Sequence, residues 1–210
     1  MAIRSAIRPV FRPVFSDLLN AVSTDGPNIP DNAIAAYAYG SPWIADDGKT
    51  VIDQRSGLGT PRDVQPRRCL DFNGTNQYLE SSGNTASAHS IVIRVKPASL
   101  SATYGVLRLA TGKTIRIVNG VVTLTGINGL IRVNDAATAI IGSTSEFSTV
   151  TITLDADHTV DALRFGQDGT TYYTGLASDL RIYPYALNGV EITALYQKSQ
   201  SPYTIVPGVP

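Results

Sequence analysis

The sequence predicts an all-β protein built as a two-layer antiparallel sandwich, and three observations predict it. The basic residues are thirteen Arg and four Lys, and the glutamates are only Glu80, Glu146 and Glu191, while Thr, Val, Ile, Gly and Tyr abound; this is a strand-and-turn composition rather than a helical one. Short apolar stretches alternate with a period of two, as half-buried strands do. Gly, Asn and Pro punctuate them at hairpin-like intervals. A chain of 210 residues suffices for one such domain with tails.

The first sixteen residues are a four-residue quasi-repeat, AIRS, AIRP, VFRP, VFS. Arg4, Arg8 and Arg12 would share one helical face, but Pro9 and Pro13 remove donors and push the residues before them into extended backbone. The segment therefore reads as an extended arm. Left in water as an isolated tail, Ile3, Ile7, Val10, Phe11, Val14 and Phe15 would expose a large apolar area. Two readings stand: a disordered leader, or a docking arm that orders on another subunit. In the second, Arg4, Arg8 and Arg12 offer forked hydrogen bonds while Ile7, Phe11 and Phe15 fill a groove. The arm and its linker span residues 1–30, with turn signals at Asp25-Gly26-Pro27.

The sandwich is assigned to residues 31–198. Residues 33–39 alternate weakly and predict an early strand, and Asp46-Asp47-Gly48 reads as a solvated turn rather than a metal site. Leu70 and Phe72 alternate into Asn73-Gly74, the strongest short hairpin signal, with Gln77 to Glu80 leading away. Ile91, Ile93 and Val95 face one way and Val92, Arg94 and Lys96 the other, until Pro97 stops the strand. His89 just before it reads as a loop residue. Residues 105–125 predict two or three strands with turns at Thr111-Gly112-Lys113 and Asn119-Gly120. Val150, Ile152 and Leu154 form another strand, and Asp155-Ala156-Asp157-His158 reads as the tip of its hairpin. Leu180 and Ile182 oppose Asp179, Arg181 and Tyr183 in a strand that runs through Pro184 into a short helix of one or two turns. Asn188 and Glu191 stand at capping-box spacing. Residues 199–210 carry three prolines and read as an extended tail.

Two stretches carry a family resemblance. The closing GLASDLRIYPYALNGVEITALY and the earlier CLDFNGTNQYLE resemble the corresponding segments of laminin-G-like domains of the concanavalin A-like superfamily, with weaker echoes in IRVKP and DQRSGLG. The resemblance runs from Tyr37 to Tyr196 and departs at Arg94, where the family often has Trp. It implies a jelly-roll sandwich, and some relatives hold calcium at loops on the sandwich edge. Short proteins with such tandem arginine repeats ahead of a laminin-G-like domain resemble bacteriophage virion proteins. That implies a non-enzymatic structural role in the virion, with capsid or tail subunits and further copies of the chain as partners. The alternative is a lectin-like module for host adhesion.

Composition and motifs exclude much else. Net charge is zero, which gives no global attraction to nucleic acid or anionic membrane. No apolar run is long enough for a membrane-crossing helix, and the arginine-rich start reads as not a signal peptide. Cys69 stands alone, so no intrachain disulfide is possible, and it reads as a small buried hydrophobe. Retaining glycoside hydrolysis needs two carboxylates about 5 Å apart. The clustered Glu-x-Asp-x-x-Glu strand that supplies them in β-glucan-cleaving relatives is absent, so no catalytic residue is assigned. No cofactor is assigned apart from a possible calcium ion. Asp155, Asp157 and Asp161, beside His158, are the candidate ligands, against the simpler reading of turn residues. Trp43, Tyr104, Tyr172 and Tyr173 are candidate stacking platforms for a glycan, against ordinary packing.

Overall fold

A computed structural model describes residues 67–81 and 86–200, together with three strands nearer the N-terminus. The architecture is a jelly-roll sandwich of two antiparallel sheets with one helix. The strands are β1 (Ala35–Ala38), β2 (Ile52–Ser56), β3 (Thr60–Val64), β4 (Arg67–Asn73), β5 (Tyr78–Ser81), β6 (Ala86–Pro97) and β7 (Thr103–Ala110). β8 (Lys113–Val118), β9 (Val121–Thr125), β10 (Gly129–Val133), β11 (Ser148–Val160), β12 (Arg164–Phe165), β13 (Thr174–Tyr183) and helix α1 (Gly189–Gln200) follow. The larger sheet runs β10-β11-β6-β13-β4-β3, and β1 pairs with the second half of β13, beyond the part that pairs with β4; the smaller runs β2-β5-β12-β7-β8-β9.

The core lies between the sheets and follows the period-two pattern. Ile91, Ile93 and Val95 of β6, Val150, Ile152 and Leu154 of β11, and Leu180 and Ile182 of β13 meet Leu107, Leu109, Ile115, Ile117 and Phe165 from the smaller sheet. Phe72, Phe165, Tyr173 and Tyr104 interlock edge to face at its centre, with Phe72–Phe165 ring centroids 5.8 Å apart. Burying each such ring stabilises the fold by about 1.5–3 kcal/mol.

The opposite face of the larger sheet carries the helix. Asn188 caps it: its Oδ1 accepts from the N–H groups of Val190 and Glu191 at 3.0 Å, and Glu191 accepts from the Asn188 N–H at 2.8 Å. Ile192 and Leu195 then pack with Leu187 on Val92 and Tyr183. Three turns form where one or two were expected, because Ser199, in the segment expected to be tail, is buried and shares a hydrogen bond with Thr149 at 2.7 Å. On the same face Arg94 is buried, its guanidinium 4.3 Å above the centre of the Phe147 ring.

The structure corrects three local expectations. Asn73-Gly74 does not close a hairpin: β4 belongs to the larger sheet and β5 to the smaller, so the turn carries the chain across the sandwich edge. Its local chemistry is as expected, with Asn73 Oδ1 accepting from the Thr75 N–H at 2.9 Å. Residues 155–158 are not a hairpin tip. β11 continues through them to Val160, and a bulge sets its residues 154–157 against the single residue His89 of β6. His89 itself therefore lies inside β6 rather than in a loop. The arm, Trp43, the Asp46-Asp47-Gly48 turn, the Cys69 side chain and residues 201–210 lie outside the described residues.

Candidate functional site

The outward face of the smaller sheet gathers most of the site. Because Leu79, Phe165, Leu107 and Ile115 point into the core, the residues alternating with them point out. The register lines up Glu80, Arg164, Arg108 and Thr114 as neighbours on β5, β12, β7 and β8. Arg164 donates from Nη2 to Glu80 Oε1 at 3.4 Å and from Nη1 to Gln167 Oε1 at 2.8 Å, and its guanidinium lies 5.0 Å from the centre of the Tyr78 ring. Tyr172 approaches Tyr78 with ring centroids 6.3 Å apart. Arg116 of β8 completes the group.

A tight loop, Gln167–Tyr172, is laid over this face and is organised by Asp168. The Asp168 carboxylate accepts from the N–H groups of Thr170 and Thr171 at 2.8 and 2.7 Å and from both threonine hydroxyls, and it pairs with Arg116 Nε. The loop seats on Gly105 of β7, where a Cβ would stand 2.3 Å from the Thr171 carbonyl oxygen and 2.6 Å from the Asp168 nitrogen. Only a residue without a side chain admits the loop at this distance.

The electrostatics differ from one arginine to the next. Arg164 and Arg116 each have a carboxylate, whereas among the described residues Arg108 has none and makes one hydrogen bond, from Nη2 to the Ala162 carbonyl at 3.2 Å. Burial, and then the neighbouring Arg164 charge, lower the Arg108 pKa, with Glu80 and Asp161 opposing them. Burial would push the Asp168 carboxyl up, but the hydrogen bonds from Thr171 and Thr170 outweigh it and hold the group below the usual carboxylate range. The result is a fixed arginine ladder beside two rings, which suits a ligand with apolar faces and polar edges.

Of the residues singled out by sequence, Tyr172 lies half-buried on this face. Tyr173 does not. Consecutive side chains alternate, so Tyr173 points inward, is fully buried against Phe72 and Tyr104, and donates to the Leu176 carbonyl at 3.2 Å; it is a core residue and not a stacking platform. Burial, then the nearby Tyr104, raises its pKa well above the usual phenol value. Tyr104 is likewise buried. Asp155, Asp157 and Asp161 are not brought together as metal ligands. Asp157 bonds His89 at 2.6 Å, Asp155 lies 3.6 Å from His158, and Asp161 follows the end of β11 with its N–H on the Leu109 carbonyl. The bulge separates them, and among the described residues no three His, Cys, Asp or Glu side chains are grouped to hold a metal ion. The candidate arm residues and Trp43 lie outside the described residues. Sequence patterning does not single out Tyr78, Arg108, Arg116 or Arg164. The available signal was an arginine in the polar phase of an apolar strand, as in LRLA and IRIV.

No protein-family model matches this chain, and no curated protein matches it. Solved structures do resemble it. Domain 4 of AbnA, a GH43 extracellular arabinanase from Geobacillus stearothermophilus, determined in complex with arabinotriose, matches with a TM-score of 0.54 at 15% identity, covering 79% of this chain and 98% of that one. A Trypanosoma rangeli sialidase mutant displaying trans-sialidase activity matches with a TM-score of 0.52 at 10% identity over 89% of this chain and 37% of that one. The binding domain of botulinum neurotoxin serotype D matches with a TM-score of 0.51 at 12% identity over 81% of this chain and 52% of that one. At these identities the likeness is one of fold: this chain is a β-sandwich similar to the arabinanase domain, the sialidase and the binding domain of the neurotoxin.

Proposed function

We propose that this chain is a non-enzymatic glycan-binding module of a bacteriophage particle, attached through residues 1–30 to capsid or tail subunits. The observation that carries the glycan reading is the pairing of the Tyr78 and Tyr172 rings with Arg164, Arg108 and Arg116 on one sheet face. Aromatic faces accept the C–H surface of a sugar, and guanidinium groups donate to its hydroxyls. A similar fold in the arabinanase domain holds arabinotriose, which supports the reading. The virion placement is supported by the arginine quasi-repeat at residues 1–16 and its resemblance to phage structural proteins. The module is read as binding without chemistry because the paired-carboxylate motif of β-glucan-cleaving relatives is absent.

A glycan array probed with the full chain tests the first part. Selective binding that falls about tenfold in Tyr172→Ala is expected; a blank array would remove the glycan role. Removing residues 1–16 tests the second. The truncated chain should fold and fail to join particles, and normal incorporation would refute the docking arm.

A further inference from the structure

The face sets like charges side by side, and among the described residues Arg108 alone of its three arginines makes no ion pair. Arg164 and Arg108 are direct cross-strand neighbours on β12 and β7, and like charges so placed repel. Glu80, next along the same rung, engages Arg164, and Asp168 engages Arg116. Glu80 and then Asp161, exposed just beyond the end of β11, are near enough to favour the Arg108 charge, but neither makes an ion pair with it. Among the described residues, Arg108 is thus a partly exposed guanidinium that holds one backbone carbonyl and no carboxylate. It lies on the rung beside Arg164, whose guanidinium covers Tyr78, and Tyr172 adjoins Tyr78.

We propose that Arg108 anchors the carboxylate of an acidic sugar, such as a uronate unit, whose ring lies along Tyr172 and Tyr78. A carboxylate would give Arg108 a directly paired counter-charge and offers two oxygens matched to a guanidinium fork. A neutral sugar would leave the repulsion between Arg108 and Arg164 in place, so the face selects for charge and not only for shape. This inference rests on the glycan reading above and specifies its ligand class.

The test compares a galacturonate oligosaccharide with the same oligosaccharide after reduction of its carboxyls to alcohols, by calorimetry on the full chain at low salt. The acidic form should bind at least about tenfold more tightly. Arg108→Gln should abolish that preference, Arg108→Lys should keep part of it, and Arg132→Gln, on a strand of the other sheet, should leave it intact. Rising salt should weaken the acidic ligand alone. Equal binding of both forms would overturn the acidic-sugar inference and leave the glycan reading standing. Preference that survives in Arg108→Gln would overturn the anchor. Tighter binding of a sulfated neutral oligosaccharide than of the galacturonate would overturn the carboxylate assignment. No binding of either form, together with a blank array, would remove the glycan reading itself.

Discussion

Arg108 and Arg164 stand opposite each other on adjacent antiparallel strands, and of the two only Arg164 has a carboxylate partner among the described residues. An arrangement that costs stability without a ligand suggests a surface shaped for binding rather than for folding. Arg108→Gln keeps a donor for the Ala162 carbonyl and removes the like charge. Its stability should rise by about 0.5 kcal/mol at low ionic strength. Urea denaturation of the two proteins checks this. A clear loss of stability in the variant would show that Arg108 is a structural residue.

Asp168 makes the site's loop sensitive to acid. Its folded-state pKa lies below the ordinary value, so its stabilising contribution is complete at neutral pH and is lost as the pH falls below about 3.9 towards the folded pKa. Asp168→Asn should cost about 1–3 kcal/mol at pH 7, since charge-assisted bonds to Thr170, Thr171 and Arg116 are weakened, and should flatten the acid limb of stability against pH. Melting temperatures measured from pH 7 down to pH 3 decide the matter. Parallel curves for the two proteins would mean that other carboxylates govern acid unfolding.

Gly105 is the floor on which the Gln167–Tyr172 loop rests, and the added methyl of Gly105→Ala would meet backbone atoms that cannot rotate away. The loop must lift, which carries Tyr172 away from Tyr78. Glycan affinity should fall by at least tenfold, with a stability cost of about 1–3 kcal/mol. A variant that retains full affinity would show that the loop's seat does not position the ligand.

These relationships differ in how far the sequence reveals them. The alternations at Ile91–Ile93–Val95 and Leu180–Ile182 were legible because one face of each strand is buried, and burial writes a period of two into the chain. The sheet that each strand joins was not legible. Asn73-Gly74 reads locally as a hairpin, but β5 gains more by joining β12 and β2 across the sandwich than by folding back on β4. Asp155 to Asp157 read as a turn, yet Leu154 and Val160 both reach the core, so the intervening polar residues bulge instead of reversing the chain. The site itself was nearly silent. Arg108 and Arg164 are far apart in sequence, and only the placement of β12 beside β7 makes them neighbours. Tyr172 and Tyr173 look equivalent in a string of letters, but successive side chains diverge, sending one to the surface and the other to the centre of the core.

The capping box that was legible in sequence gives a last expectation. Asn188 satisfies the Val190 and Glu191 N–H groups and receives the Glu191 carboxylate on its own N–H, closing the first turn of α1 from both sides. A helix of this length is marginal alone in water, so the cap must act together with the docking of Ile192 and Leu195 on Val92 and Tyr183. Asn188→Ala should therefore cost about 0.5–2 kcal/mol. The loss should come as local opening of the helix rather than of the sandwich, since the main core does not contain α1. Amide hydrogen exchange separates the two outcomes. Faster exchange confined to α1 and the end of β13 beneath it is expected, whereas uniform acceleration across both sheets would mean that the helix and the sandwich unfold as one unit.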